Sequence, residues 1–388
     1  MKPKYKKILK RMFYTIAIII AVVFIIGVWF LNQPQFGKAP SGEHLERIKK
    51  SPNYKNGKFQ NINNVPLLSE GHSFFGLIRK AITEKYPDKV PSNTIKSVKT
   101  NLKTLKQDED FLVWFGHSSY YIQIDKKRFL VDPVFSGNAS PIPGNGKAFE
   151  GSNEYQVSDL PYIDYLLITH DHYDHLDYET ILKLKDRVGK VICGLGVASH
   201  LEYWGFNKNK IIEKDWYETE YLTKQTIIHT TPTQHFSGRS IFRNNTLWLS
   251  FVIQTPNYKI YVGGDSGYSM HFKEIGEKFG PFDLAILENG QYNKAWESIH
   301  LLPEQVLKAA LDLRAKRLLP VHSSKFRLST HPWYEPLEMV TGLHKKEKYD
   351  FDISTPIIGE KLDLKSKTQS FYKWWESNML KDKIDDSN

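Results

Sequence analysis

The stretch ITHDHYDHLD, residues 168–177, concentrates three histidines and three aspartates directly after the apolar run YLLI. His170 and His172 are two positions apart, so on an extended segment they point to the same side, and a tight turn can fold Asp174 and His175 back towards them. Without a cation, the neighbouring carboxylates would repel one another. Imidazole nitrogen and carboxylate oxygen are ligands that zinc takes in proteins, so the stretch predicts a zinc site.

Three residues further along the chain could complete the ligand set. His235 in TPTQHFSGRS, Asp265 in YVGGDSGY and His300 in ESIHLLPEQV each lie in a loop after a predicted strand or just before a predicted helix. Alone, His235 would be interpreted as a surface histidine and Asp265 as a turn or cap residue. Their order after the histidine-rich stretch favours a role as metal ligands.

From residue 110 onward, sheet and helix patterns alternate. Short β-branched and aromatic runs bounded by Gly, Pro, Asp and Asn predict strands at FLVWFG, YYIQID, RFLVDPVF, YLLITH, KVICGLG, TIIHTTP, LWLSFVIQT, KIYVGGD, DLAILEN and RLLPVH. Helical periodicity predicts helices at YETILKLKDRV, MHFKEIGEKFG and PEQVLKAALDLRAK. An early meander followed by strand and helix alternation predicts an α/β (α+β) protein whose sheets are covered by helices.

Two segments before residue 110 predict helices of other kinds. Residues 12–31, MFYTIAIIIAVVFIIGVWFL, form an apolar run of 20 residues, which matches the ~20 residues that cross ~30 Å of hydrocarbon. A signal peptide would have an apolar core of about 7–15 residues and a small-residue cleavage site, so an uncleaved anchor is favoured over that alternative and over a buried core helix. SFFGLIRKAI, residues 73–82, predicts an amphipathic helix. Packing of its apolar face onto the main domain is favoured over insertion into lipid.

The formal net charge of +10 is unevenly distributed, with +6 in residues 1–11, +9 in residues 38–106 and −5 in the remainder. The basic flank predicts a cytoplasmic N-terminus and a domain on the far side of the membrane. The basic excess suits an anionic bilayer surface, or is an ordinary solvated lysine-rich face. A nucleic-acid partner is not expected, because binding it would need basic residues on the folded domain. The single cysteine, Cys193, is interpreted as a buried strand residue. With only one cysteine, the chain cannot form a disulfide framework.

These motifs resemble a known superfamily. HDHYDHLD followed by a lone histidine, GGD and a final histidine is similar to the metallo-β-lactamase pattern. More narrowly, GHSSYYIQIDKKRFLVDPVFSGNASP, ITHDHYDHLDYETI, TPTQHFSGR and GGDSGY resemble the N-acyl-phosphatidylethanolamine-hydrolysing phospholipase D family and its bacterial membrane-associated relatives, over about residues 36–336. The resemblance implies a four-layer αββα sandwich, here preceded by one transmembrane helix, with the site at one edge of the two sheets.

The resemblance also implies a ligand assignment. His170, His172 and His235 would hold a first zinc ion, Asp174, His175 and His300 a second, and Asp265 would bridge both, with a hydroxide between the two ions. Two such ions lower the pKa of a shared water towards about 7. The residues expected to act directly in catalysis are Asp174, Asp265 and His322.

Further residues are expected around the metals. Asp132 in LVDPVF either orients the metal loop or caps a turn, and His117 in GHSSYY could line the cleft. His322 in LLPVHSSKF stands where the family also carries a histidine and could contact phosphate or a metal-bound oxygen. The family usually has Trp-Gly after it, whereas Ser323-Ser324 here would leave a smaller, more polar wall. Residues expected to contact substrate, with core packing as the alternative for the aromatic ones, are Tyr173, Gln291 and Tyr292.

The resulting domain division is a basic cytoplasmic segment 1–11, an anchor 12–31, a basic stem and extension 32–109, a hydrolase domain 110–365 and a tail 366–388. The expected function is a membrane-anchored dizinc phosphodiesterase that converts N-acylphosphatidylethanolamine to N-acylethanolamine and phosphatidate. Its expected partners are that phospholipid and the bilayer. A zinc-dependent lactonase or other phosphodiesterase of the same fold is one alternative, and a non-catalytic zinc-binding envelope protein is another.

Overall fold

The computed structural model describes residues 3–142, 144–366 and 368–377. Its helices are α1 (Pro3–Leu31), α2 (Glu43–Lys49), α3 (Phe74–Thr83), α4 (Tyr178–Leu184), α5 (Ala198–Tyr203), α6 (His271–Phe279), α7 (Pro303–Asp312) and α8 (Glu335–Glu347). Its strands are β1 (Tyr54–Lys55), β2 (Lys58–Phe59), β3 (Phe111–Trp114), β4 (Tyr120–Ile124), β5 (Lys127–Val131), β6 (Ile163–Ile168), β7 (Val188–Gly194), β8 (Ile211–Lys214), β9 (Thr219–Tyr221), β10 (Ile227–Thr231), β11 (Ser250–Gln254), β12 (Lys259–Val262), β13 (Leu284–Glu288), β14 (Arg317–Val321), β15 (Asp352–Ile353) and β16 (Lys361–Asp363).

Two seven-stranded sheets form the centre of the protein, and they share one topological plan. The first has the order β16-β3-β4-β5-β6-β7-β8 and the second β15-β14-β13-β12-β11-β10-β9. In the first sheet the pairs from β16 to β5 are antiparallel, and those from β5 to β8 are parallel. The second sheet likewise has antiparallel pairs from β9 to β12 and parallel pairs from β12 to β15. Short hairpins join β3 to β4, β4 to β5, β9 to β10 and β11 to β12, and helical crossovers join most of the parallel strands.

The two sheets pack face to face, and helices cover their outer faces. Alternate residues of β6 show the arrangement, because Leu167 belongs to the core between the sheets whereas Leu166 and Ile168 pack with the helices outside. On the second sheet, Ile286 faces inward, and Leu287 packs against α6 and α7. The predicted four-layer αββα sandwich is therefore confirmed. Cys193 lies on β7 and is buried, as expected.

The N-terminal helix α1 spans Pro3–Leu31, so it begins before the predicted anchor, and none of its side chains is buried. It is long and apolar enough to cross a membrane. A short 3-10 turn at Pro34–Phe36 follows, and Phe36 is buried on the domain. Further along this basic extension, α2 packs through Ile48, and Arg47 donates a hydrogen bond of 2.6 Å to the carbonyl of Glu213.

Helix α3 forms where the SFFGLIRKAI pattern predicts it, and Ser73 caps its first turn by accepting a hydrogen bond of 3.1 Å from the backbone N–H of Gly76. No side chain of α3 is buried. The favoured expectation that its apolar face packs onto the main domain was therefore wrong. Leu77 is half-buried, whereas Phe74, Ile78 and Ile82 of the same face are exposed.

The described part of the predicted tail is attached to the domain. Trp374 and Trp375 are buried, and both belong to the hydrophobic core that lies between the two sheets. The Trp375 indole N–H donates a hydrogen bond of 2.8 Å to Glu338 on α8. Residues 378–388 of that predicted tail lie outside the described residues.

Candidate metal centre

The candidate site lies where strands of both sheets end. Asp132 follows β5, and the histidine-rich loop follows β6, while Asp265 follows β12 and Glu288 ends β13. Since β5 and β6 run parallel, as do β12, β13 and β14, their carboxyl ends meet at one edge of each sheet. Crevices at such edges collect polar side chains while the strands themselves stay apolar.

A first group consists of three histidines. His170 Nε2 lies 2.9 Å from His172 Nδ1, which lies 3.3 Å from His235 Nε2. His170 and His235 are buried. Burial holds the pKa of both well below its ordinary value and also lowers the pKa of His172, so all three are neutral imidazoles. Three neutral imidazoles with converging nitrogens offer lone pairs to a cation.

A second group surrounds Asp174. Its Oδ2 lies 2.8 Å from His117 Nε2, 3.6 Å from His175 Nε2 and 3.5 Å from His322 Nε2. Burial would raise the pKa of Asp174, but the positive charge of His175, a hydrogen bond from His117 and the nearby His322 imidazole outweigh it and hold the pKa well below its ordinary value. The carboxylate is therefore ionised and surrounded by imidazoles.

Asp265 lies between the two groups. Its Oδ1 is 3.3 Å from His175 Nε2, and its Oδ2 is 3.2 Å from His322 Nε2. The same Oδ2 is 4.0 Å from His170 Nε2 and 3.8 Å from His235 Nε2. The carboxylate thus faces both groups, which is the geometry that a bridging ligand needs.

The structure corrects the expected position of His300. His300 was expected beside Asp174 and His175, but His322 occupies that position. His300 instead lies with Asp265 and Glu288, and its Nδ1 is 2.6 Å from Glu288 Oε2. The reason is topological, because β14 lies beside β13 and its end carries His322 to the centre of the cluster, whereas His300 precedes α7 at the margin.

Asp132 supports the cluster from behind. Its Oδ2 lies 2.8 Å from His175 Nδ1, and its two oxygens accept hydrogen bonds from the backbone N–H and the hydroxyl of Thr169 at 2.9 and 2.5 Å. These contacts fix the orientation of His175 and the start of the metal loop. Glu288 orients His322 in the same way, since its Oε2 lies 3.3 Å from His322 Nδ1. Sequence reasoning missed Glu288, although a carboxylate that ends the apolar run DLAIL was a signal for a buried polar role.

The buried atoms of the cluster fit a divalent cation. His175 Nε2, Asp265 Oδ1 and His322 Nε2 are buried and have no hydrogen-bond partner of acceptable geometry among the described residues. Buried polar atoms are almost always paired, so these three lack the partner that a metal ion would supply. Burial would lower the pKa of His322, but the charge of Asp265 and the nearby carboxylates of Asp174 and Glu288 raise it to about 10. The cluster therefore attracts positive charge.

Sequence comparison agrees with this geometry. The profile of the β-lactamase superfamily domain matches residues 127–323, which include most of the cluster. The chain belongs to the metallo-β-lactamase superfamily. The N-acyl-phosphatidylethanolamine-hydrolyzing phospholipase D 1 of Caenorhabditis elegans is 30% identical over 270 residues, which cover 64% of this chain and 74% of that protein. Within the superfamily, the chain is therefore a member of that phospholipase family, a family of metallo-hydrolases.

Two other relatives match this superfamily member over very different lengths. An uncharacterized protein of Mycobacterium tuberculosis is 34% identical over 357 residues, which cover 90% of this chain and 95% of that protein. The outer membrane protein RomA of Klebsiella pneumoniae is 54% identical over 101 residues, which cover 26% of this chain and 76% of that protein.

Solved structures share the metallo-β-lactamase fold. A metallo hydrolase of Ignicoccus hospitalis matches with a TM-score of 0.51 and 21% identity, and the match covers 66% of this chain and 98% of that one. CmlA, a diiron β-hydroxylase of Streptomyces venezuelae, matches with a TM-score of 0.50 and 20% identity, over 66% of this chain and 54% of that one. These likenesses concern the fold alone.

The candidate ligand cluster of this metallo-β-lactamase domain lies at the base of a cleft of about 420 Å³. Gln291 and Arg243 reach the cleft, and the remaining wall is largely apolar, formed by Leu67, Leu68, Phe74, Phe236, Trp296, Ile299 and Leu328. The Gln291 side chain is held in place by the backbone of a neighbouring loop. It donates a hydrogen bond of 3.0 Å to the carbonyl of Phe326 and accepts one of 2.8 Å from the N–H of Leu328.

Two tyrosines expected at the substrate site lie elsewhere. The Tyr173 hydroxyl donates to the carbonyl of Arg239, and its ring lies 4.2 Å from that guanidinium, in a neighbouring pocket. Tyr292 is buried, and its hydroxyl donates to Glu335 at 2.9 Å. The expectation that they line the metal cleft was wrong for both, because each side chain is drawn to a polar partner outside it.

Asp171, between His170 and His172, connects the histidine-rich loop to the segment after β10. Its Oδ1 accepts a hydrogen bond of 2.7 Å from the N–H of Gly238, and its Oδ2 accepts one of 2.8 Å from the hydroxyl of Thr246. His200 Nε2 lies 3.3 Å from the same Oδ2. Asp171 therefore holds the segment that carries His235 against the histidine-rich loop.

Proposed function

We propose that this chain is a membrane-anchored hydrolase that cleaves the phosphodiester of a phospholipid, N-acylphosphatidylethanolamine, to N-acylethanolamine and phosphatidate. The observation that carries the proposal is the apolar cleft directly above a buried His/Asp cluster. Such a wall suits acyl chains, since burying each methylene contributes about 0.8 kcal/mol. Membership of a family named for this reaction supports the same substrate.

The donor set supports two zinc ions as the resident metals. His170, His172 and His235 would hold one, and Asp174, His175 and His322 the other, with Asp265 between them. Nitrogen and oxygen donors also suit iron, so elemental analysis of the purified chain has to establish whether zinc or iron is bound. When bound, the ions would supply a water of lowered pKa and neutralise negative charge on the phosphodiester.

The chain's own residues would position the reaction. Water oxygen bonds to phosphorus, the bond from phosphorus to the alcohol oxygen of the N-acylethanolamine breaks, and a proton ends on that alcohol. Asp132 and Glu288 would hold the imidazoles in place, because each binds the far nitrogen of a cluster histidine. Arg243, exposed at the cleft, would attract the phosphate. Since His300 Nδ1 binds Glu288, any proton that His300 exchanges with substrate would pass through Nε2.

Helix α1 would serve as the anchor. All its apolar side chains lie outside the core, a state that is costly in water and favourable in lipid. Its first turns carry basic residues, Lys4, Lys6, Lys7, Lys10 and Arg11. By the positive-inside rule this end would stay in the cytoplasm, and the catalytic domain would lie on the opposite side of a bacterial inner membrane.

The direct test uses the purified full chain with two equivalents of zinc, mixed with vesicles that contain N-acylphosphatidylethanolamine. Mass spectrometry should detect N-acylethanolamine and phosphatidate in equal amounts, and a chelator should abolish both. His235→Ala should be inactive, whereas His229→Ala, a histidine of the same segment that contacts Thr219, should retain activity. A zinc-loaded protein that releases neither product would overturn the substrate assignment.

Parallel assays with lactones, cyclic phosphodiesters and chromogenic esters separate the other reactions of this fold. A rate on a lactone well above that on the phospholipid would favour the lactonase. No hydrolysis of any substrate by fully metal-loaded protein would favour a binding role.

A further inference from the structure

Two exposed apolar elements flank the mouth of the metal cleft. On α3, Phe74, Phe75 and Ile82 are 68%, 83% and 79% exposed. On the loop after His235, Ile241 and Phe242 are 71% and 68% exposed. Soluble proteins rarely leave such a concentration of large apolar side chains in water without a partner.

Both elements adjoin residues that line the cleft. Phe74 from the start of α3 lines the cleft, and so do Phe236 and Arg243, which lie on either side of the Ile241–Phe242 tip in sequence. Phe74 and Phe75 begin the apolar face of α3, which continues at intervals of one helical turn. A surface that covered these elements would therefore also close over the entrance to the metal cluster.

The end of α1 lies beside the same loop. The Arg239 guanidinium, two residues before Ile241, donates hydrogen bonds of 2.7 and 3.1 Å to the carbonyl of Gln35. The Trp204 indole donates one of 2.8 Å to the carbonyl of Pro34. Residues 32 and 33 alone separate the end of α1 from this docked segment, and two extended residues span only about 7 Å. The cleft side of the domain is thus held close to the end of α1.

The charges around both elements suit an anionic surface. Helix α3 carries Arg79 and Lys80, both exposed, and no acidic residue. Arg243 is exposed next to the loop tip. An interfacial helix typically combines such basic side chains with exposed Phe, Ile and Leu on its other face.

We infer that α3 and the Ile241–Phe242 tip insert into the surface of the bilayer that α1 crosses, so that the metal cleft opens onto lipid. The inference rests on the anchoring proposed above. A phospholipid could then reach the cluster without transfer of its acyl chains through water. A second copy of the chain is the alternative occupant of this apolar surface.

The inference is tested with full-length protein in phosphatidylcholine/phosphatidylglycerol vesicles. Single cysteines replace Phe75, Phe242, Val22 of α1 or Tyr221, and each is labelled with an environment-sensitive fluorophore. Cys193 is fully buried and stays in place. Tyr221 is 71% exposed and pairs with Ile227 at the start of β10, away from the cluster, so it is the matched control for solvent. Nitroxide-bearing lipids then report contact with the bilayer.

Labels at Phe75 and Phe242 should be quenched by nitroxide lipids several-fold more than the label at Tyr221. Quenching at both equal to that at Tyr221, with Val22 quenched, would overturn the inference while the anchor stands. An unquenched Val22 would overturn the anchor and this inference together, and hydrolysis of the phospholipid is measured independently of both. A blue-shifted Phe75 label that nitroxide lipids do not quench, and that depends on protein density, would assign the surface to a second copy.

A second variant links the surface to turnover. Phe75→Ser/Phe242→Ser should lower the rate on vesicle substrate several-fold and leave the rate on a soluble short-chain phosphodiester unchanged. Leu311→Ser, on the exposed side of α7, should change neither rate. An equal loss on both substrates would contradict a role for these side chains at the lipid surface.

Discussion

His322 Nε2 lies 3.2 Å from Asp265 Oδ2, while its Nδ1 lies 3.3 Å from Glu288 Oε2. One imidazole therefore joins the central carboxylate of the cluster to a carboxylate that ends β13. The contact gives His322 the environment of an oriented metal ligand. His300 shares Glu288 but lies at the margin.

The two histidines should consequently differ in metal content. His322→Ala removes a nitrogen beside both Asp174 and Asp265, so the zinc-loaded chain should lose about one metal ion per molecule, measured by elemental analysis after gel filtration. His300→Ala should retain the metal content of the parent while its turnover falls. Loss of metal from His300→Ala alone, with His322→Ala unchanged, would restore the assignment expected from the sequence.

Asp132→Asn should weaken metal binding, although Asp132 is not itself expected to be a metal ligand. The amide keeps the size of the side chain but cannot supply a negative oxygen to both His175 and Thr169. Loss of such an orienting partner typically costs about 10–100-fold in metal affinity or activity, measured by competition with a chelating dye. Asp164→Asn, at the start of β6 and therefore at the end of that strand remote from the histidine-rich loop, is the control and should bind metal as the parent does. Equal affinities for all three proteins would contradict this role.

Arg239→Met should destabilise the protein. Its guanidinium is buried and donates to the carbonyls of Gln35, Asp171 and Leu176 at 2.6–3.1 Å. Loss of these contacts leaves buried carbonyls unpaired, and the free energy of unfolding should fall by about 3 kcal/mol or more. Arg243→Met, on the exposed tip, should change it by less than about 0.5 kcal/mol. Denaturation of the detergent-solubilised chain, followed by tryptophan fluorescence, measures both, and equal effects would be inconsistent with the structure.

His44 should make part of the stability depend on pH. A hydrogen bond to Glu213, together with the nearby Glu202, outweighs partial burial and raises the pKa of His44 to about 9. A raised pKa means that the folded state binds the proton more tightly. The contribution is therefore complete below about pH 6.5 and is lost as the pH rises through about 9.

The check compares the parent with His44→Gln. The difference in urea midpoint between the two should be large at pH 6 and small at pH 10. A difference that does not change with pH would show that the charge of His44 contributes nothing to holding α2 against β8.

Much of the fold follows from local pattern. The apolar runs that became β3 to β7 and β10 to β14 are bounded by turn residues, and each forms a strand at its predicted place. The short strands β8, β9, β15 and β16 had no such signal, because each is only two to four residues long and contains charged residues at a sheet edge. The pairing of β16 with β3 joins residues some 250 positions apart.

The site was predictable in composition but less so in arrangement. The residue types and order of the motifs bring His170, His172 and Asp174 together, since these lie in one loop after one strand. Which of His300 and His322 lies beside Asp174 depends on how β13 and β14 align, and spacing along the chain does not contain that information. The exposure of α3 is a similar case, because its amphipathic pattern is the same whether protein or lipid covers it.

The most direct test of the proposed reaction is hydrolysis of N-acylphosphatidylethanolamine by the zinc-loaded chain in water enriched in oxygen-18, with both products analysed by mass spectrometry. Attack of water on phosphorus predicts one labelled oxygen in phosphatidate and none in N-acylethanolamine. Label in N-acylethanolamine or in a released fatty acid, or the absence of both products, would contradict a phospholipase D reaction at this cluster.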